Sequence, residues 1–94
     1  MNRRSFHLDH ADHSITVELL GGHAREVELL VDGKEVGLRR ERGADTALLS
    51  GDLPDDPPVP FTVRVVGTQH GFRHAECVLL IEGQELPMPE RAVA

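Results

Sequence analysis

The stretch REVELLVDGKEVGL, residues 25–38, alternates apolar and polar side chains on both sides of an Asp-Gly pair. A period of two is the pattern of a strand that buries one face. Asp32-Gly33 accepts positive φ at both central positions of a type I′ turn, whose twist matches the strands it joins. A two-residue turn also sets the register: Val31 against Lys34, Leu30 against Glu35, Leu29 against Val36, and Val27 against Leu38. Leu29, Val36, Val27 and Leu38 are therefore expected on one apolar face, with Glu26, Glu28 and Glu35 pointing outward.

The phrase LLVDGKEV (29–36) returns as LLIEGQEL (79–86), which keeps the turn glycine in Glu82-Gly83. The same register sets Ile81 against Gln84, Leu80 against Glu85 and Leu79 against Leu86. The inward row there reads Ala75, Cys77, Leu79, Ile81 and Leu86. Pro87 and Pro89 are expected to end that ladder, since proline donates no hydrogen bond to it. Upstream, ITVELLGG (15–22) corresponds to FTVRVVGT (61–68), each an alternating strand closed by a glycine. In the first of them Ile15, Val17 and Leu19 share one face, and Thr16 and Glu18 share the other.

SFHLD (5–9) reads as a first strand, HADH (10–13) as its turn and DTALLS (45–50) as a further short strand. GDLPDDPPVP (51–60), rich in proline and aspartate, reads as an extended surface crossover. No segment carries a convincing helical period. Two related units are too few for a solenoid and are expected to pack face to face. The expected fold is an all-β, antiparallel β-sandwich of about seven to eight strands. It forms one domain over residues 1–94, built from two related hairpin-containing halves at about 5–50 and 51–90.

With three Phe and neither Trp nor Tyr, the core must be aliphatic. The net charge of −6, with a single lysine at Lys34, argues against a surface that tracks phosphates. The basic run LRRER (38–42) is interrupted by Glu41 and reads as a solvated face, with an anion or acidic-partner site as the alternative. One cysteine, Cys77, excludes an intramolecular disulfide and points to a reducing compartment. The two N-terminal arginines precede no apolar run, so no signal peptide is expected, and no segment is apolar enough to span a bilayer. A soluble, cytoplasmic protein is expected, with no cofactor and neither nucleic acid nor membrane as partner.

Six histidines are a high count for this length. His7, His10 and His13 lie close together with Asp9 and Asp12 among them, a donor set that could converge on a transition metal. An exposed polar turn is the plainer reading, because no tighter ligand signature such as HExxH is present. His70 and His74 bracket Gly-Phe-Arg in the second half; His74 and Glu76 are expected outside, and Phe72 is expected to cap the sandwich. Cys77 is on the inward row and reads as a small hydrophobe rather than a nucleophile. No phosphate loop, G-x-S-x-G elbow or carboxylate pair in a cleft is visible, so no catalytic residues are assigned. Leu30 and Leu80 recur on the outward face, joined by Leu20, Val66 and Val78, and such aliphatic patches mark interaction surfaces.

Residues 3–36 (RRSFHLDHADHSITVELLGGHAREVELLVDGKEV) and 61–90 (FTVRVVGTQHGFRHAECVLLIEGQELPMPE) resemble the repeating pattern of the Fas apoptotic inhibitory molecule family. Val31, Asp32, Gly33, Lys34 and Glu35 match that family's VDGKE hairpin, and Glu85, Leu86, Pro87 and Glu90 echo its short C-terminal tail. The resemblance implies an antiparallel β-sandwich without catalytic residues that works by protein contact in the cytosol. The arginine-over-lysine bias has a bacterial character. The expected function is a non-catalytic interaction module whose partner is another protein or a second copy. A metal- or small-ligand-binding protein using the histidines, or an accessory subunit of an enzyme, are the alternatives.

Overall fold

Three tight turns of one kind organise the ladders. At Ala11-Asp12, Asp32-Gly33 and Glu82-Gly83 both central residues have positive φ, as a type I′ hairpin turn requires. The structure is a computed structural model, and it describes residues 3–21, 25–40, 45–68 and 72–92. Among these, nine strands run in chain order: β1 (Arg3–His10), β2 (His13–Leu20), β3 (Glu26–Val31), β4 (Lys34–Arg40), β5 (Thr46–Leu53), β6 (Val59–Val66), β7 (Glu76–Ile81), β8 (Gln84–Met88) and β9 (Glu90–Arg91). They form two antiparallel sheets, ordered β4-β3-β2-β1-β9 and β5-β6-β7-β8. The chain is thus the expected all-β sandwich, with each of the repeated phrases at the last hairpin of a four-stranded meander.

The inward rows meet in an aliphatic core. Ile15, Val17, Leu19, Val27 and Leu29 of the first sheet are fully buried, as are Leu53, Val63, Val65 and Leu79 of the second. Phe6, Phe61 and Phe72 fill out its margins. Thr16 and Glu18 point outward as expected, yet both are buried. They lie on β2 in the middle of the sheet, where Arg3 and Arg91 reach across Glu18.

The second hairpin keeps the expected register throughout. The first does not. Val31–Lys34 and Leu30–Glu35 pair as expected, but a bulge between Leu29 and Leu30 sets Leu29 against Gly37 and Val27 against Arg39. One extra residue on β4 turns every later side chain to the opposite face. Val36 and Leu38, expected inside, are consequently 45% and 53% exposed. Gly37 takes the inward place, where a Cβ would already lie 3.6 Å from both Leu29 Cβ and Leu49 Cδ2.

Residues 51–60 are not a crossover. They supply the end of β5, the start of β6 and the connection between them, with Gly51 paired to Phe61 and Leu53 to Val59. The passage between sheets falls instead between β4 and β5. The β7–β8 ladder ends at Met88, just before Pro89 as expected, but Pro87 does not interrupt it. Pro87 pairs with Val78 on the edge strand β8, where its missing N–H faces away from the ladder. Beyond Pro89 the chain enters the first sheet as β9, with Ser5 opposite Arg91 and Phe6 opposite Glu90. The His7 amide donates to the Pro89 carbonyl at 2.9 Å.

Candidate functional site

The outer face of the second sheet is built from the residues its alternation turns away from the core. The registers place Leu48, Arg64, Val78 and Pro87 in one row across all four strands. The neighbouring rows hold Thr46, Val66 and Glu76 on one side, and Ser50, Thr62, Leu80 and Glu85 on the other. Leu48 is 51% exposed, and Val66, Val78 and Leu80 are half-buried. Arg64 crosses the middle and donates from Nη2 to Glu85 Oε1 at 2.7 Å. A shallow depression of about 390 Å³ adjoins Leu80, its walls drawn from Ser50, Asp52, Pro60 and Thr62, with Gly51 and Phe61 at its floor. The Ser50 and Thr62 hydroxyls are hydrogen-bonded at 3.0 Å along it.

Three of the five aliphatic residues singled out in the sequence, Val66, Val78 and Leu80, therefore share one face. Leu20 and Leu30 do not join them, because β2 and β3 belong to the other sheet. Leu20 lies in a row with Arg3, Glu26 and Arg40, and Leu30 in a row with His7, Thr16 and Glu35. Leu48 was not singled out, although the alternation of DTALLS, with Ala47 and Leu49 buried, turns it outward with Leu80.

The histidines separate for the same reason of parity. His7 is on the outer face of the first sheet, where Nδ1 hydrogen-bonds with Thr16 Oγ1 at 3.0 Å and Nε2 with Asp9 Oδ1 at 2.9 Å. His10 and His13 are opposite one another on the inward row and reach toward loops of the second sheet, to Glu82 and Asp55. The three rings have different partners, and among the described residues no group of three or more His, Cys, Asp or Glu side chains is placed to hold a metal. His74 and Glu76 are exposed and Phe72 is buried at the end of the core, as expected. His70, Glu41 and Arg42 lie outside the described residues.

Cys77 is buried on the inward row, and burial pushes its thiol up to about 12, the Arg4 charge opposing and Glu90 adding to the shift. A neutral, enclosed thiol is a packing group, not a nucleophile.

The outer face of the first sheet carries a cluster of acids that sequence reading passed over. Glu18 and Glu28 are directly opposite each other on β2 and β3. Glu18 Oε1 is 3.3 Å from Arg3 Nη2, while its Oε2 is buried with no hydrogen-bond partner among the described residues. A hydrogen bond with Glu35, then partial burial, then the charges of Glu35 and Glu18 hold the Glu28 carboxyl above its ordinary 4.5. A carboxyl raised on folding stabilises the fold at low pH and loses that contribution as pH rises through the folded value. At neutral pH the pair repels, so Glu35→Gln is expected to raise Tm by ~2 °C at pH 7. The gain should shrink toward pH 4, and a pH series of thermal melts measures it.

Comparison with protein-family models, with curated proteins and with solved structures gives no match. Among the described residues no helix is long and apolar enough to cross a membrane. The class that the geometry defines is a two-sheet antiparallel sandwich whose second sheet groups its outward aliphatic residues on adjoining rows.

Proposed function

We propose that this chain is a non-catalytic β-sandwich interaction module that docks through the outer face of its second sheet, and that the occupant of that face is a second copy. One observation carries the reading. Leu48, Val66, Val78, Leu80 and Pro87 surround Arg64 on adjoining rows of a single sheet. On the equivalent face of the other sheet Leu20, Leu30 and Leu38 are set among Glu18, Glu26, Glu28, Glu35, Arg3 and Arg40. Contiguous exposed apolar surface rimmed by polar groups is the usual mark of an interface. Arg64 at the middle of the face is already paired with Glu85 at 2.7 Å, so its charge is matched within the chain and the aliphatic residues around it can meet those of a second copy. A protein-contact role is also what the family resemblance implies. The setting proposed is cytoplasmic, where the single Cys77 remains a thiol.

Light scattering over a wide concentration range tests this. The native chain is expected to be dimeric and Leu80→Asp monomeric with an unchanged circular dichroism spectrum. Leu30→Asp, on the opposite face, should stay dimeric. A native chain that is monomeric throughout, or a dimer indifferent to Leu80→Asp, would overturn the second copy as the occupant of this face.

A further inference from the structure

The four connections β1–β2, β3–β4, β5–β6 and β7–β8 gather at one end of the sandwich, and His13 sits among them. Its Nδ1 is 2.7 Å from Asp32 Oδ2 in the β3–β4 turn, and its Nε2 is 2.7 Å from Asp55 Oδ1 in the β5–β6 connection. An ionised carboxylate can only accept a hydrogen bond, so two such contacts require hydrogen on both ring nitrogens, which is the imidazolium form. Asp32 is held in place for this. Its Oδ1 accepts from the Ser14 amide at 2.9 Å, and its own amide donates to the Ser14 carbonyl at 2.8 Å.

Asp32 belongs to the first sheet and Asp55 to the second, so the one ring joins the sheets. His10, the Cα partner of His13, points at the second sheet as well, with Nε2 3.9 Å from Glu82 Oε1. The other charged groups at this end include Asp9, opposite Ser14 and bonded to His7, Asp12 of the β1–β2 turn, Lys34 beside Asp32, and Asp56 beside Asp55.

We propose that His13 is a protonation-dependent clasp that fastens the β5–β6 connection to the first sheet and releases it when the imidazolium loses its proton. Asp52 and Pro60, which line the depression on the outer face, are paired with each other in the β5–β6 ladder just before that connection, so release is confined to the connection itself. This inference stands apart from the proposed docking face and does not depend on it.

The pH window follows from the partners. Hydrogen bonds to Asp55 and then to Asp32, with the charges of both, hold the imidazolium above its ordinary 6.5. The Ser14 amide and then His13 hold the Asp32 carboxyl below its ordinary 3.8. A raised histidine contributes fully below 6.5 and is lost as pH rises through the higher folded value. A lowered aspartate contributes above 3.8 and is lost as pH falls through the lower folded value. The clasp is closed across the interval between 3.8 and 6.5 and opens on the alkaline side.

The test is an NMR titration of the His13 ring together with amide exchange at Asp55, whose N–H donates to the Leu53 carbonyl at 2.8 Å. Exchange rates are corrected for the intrinsic effect of pH. His13 is expected to titrate above 6.5, and protection at Asp55 to fall severalfold through the same midpoint. Asp55→Asn should lower that midpoint and flatten the pH dependence of protection while the core amides stay protected. A His13 midpoint at or below 6.5, protection at Asp55 that is level across the titration, or an unchanged midpoint in Asp55→Asn would each overturn the clasp.

Discussion

Arg4→Ala is expected to lower the unfolding free energy by about 3 kcal/mol, measured by chemical denaturation at neutral pH. Arg4 is at the inward end of β1, opposite the end that His13 occupies. Its Nε and Nη2 form a forked pair with Glu90, both at 2.9 Å. Its Nη1 donates to the carbonyls of Phe72 at 2.6 Å and Ala75 at 2.8 Å. The guanidinium also lies over the Phe6 ring, 4.9 Å from the centroid. The Glu90 carboxylate is half-exposed, so that pair is screened and supplies the smaller part. The carbonyl contacts supply the larger part, because truncation removes the donor to Ala75 and leaves Phe72 with only the longer bond from the Ala75 amide at 3.2 Å. Arg4→Lys should recover less than half of the loss, since an ammonium cannot serve the fork and both carbonyls in one geometry. If Arg4→Ala costs under about 1 kcal/mol, Arg4 is not the anchor of residues 72–75.

Gly67→Ala is expected to cost a similar ~3 kcal/mol, for a different reason. Gly67 has φ +78°, and a Cβ there would lie 3.0 Å from the His74 carbonyl oxygen and 3.6 Å from Ala75 Cα. Those atoms are backbone and cannot swing aside. The residue is also tied down, because the Gly67 and Thr68 amides both donate to the Asp45 carbonyl, at 2.9 and 3.2 Å. Relief would have to come from shifting residues 74–75, the same segment that Arg4 holds. Gly33→Ala provides the comparison, since Gly33 has φ +82° but nothing within 4 Å of an added Cβ. That change carries backbone strain alone, about 1 kcal/mol. Equal losses at the two sites would mean that the close approach of Gly67 to His74 is not maintained in solution.

The turns were legible where alternation and turn chemistry agreed, and the register too in the second hairpin, though not along β4. Asp32-Gly33 and Glu82-Gly83 announce their turns through glycine, whereas Ala11-Asp12 has none and takes positive φ because strands pair on both sides of it. The β4 bulge left no local trace. Val36 and Leu38 alternate as inward residues would, and a Cβ at Gly37 would meet Leu29 and Leu49 at an ordinary 3.6 Å, so no close approach fixes the glycine there. The proline- and aspartate-rich run 51–60 reads as a surface crossover, yet β6 pairs with β7 only from Phe61 onward, so Pro60 forfeits no bond there. Alternation was enough to turn Val66, Val78 and Leu80 outward. It could not say which sheet each strand joins, and that is why Leu20 and Leu30 were grouped with them. Arg4 with Glu90 and His13 with Asp55 are contacts between distant parts of the chain, and no periodicity carries such information.

All the ladders except β1–β9 join strands that are consecutive in the chain. Each sheet is in consequence a separate ribbon with its own backbone bonds, and cooperativity between the ribbons rests on buried side chains. Cutting the chain between Arg40 and Thr46 would sever no ladder. The two pieces would carry complementary greasy faces, and among the described residues β9 would be the one backbone thread from the second piece to the first. Thermodynamically the molecule behaves as a heterodimer of its own halves, with a covalent tether setting their effective concentration.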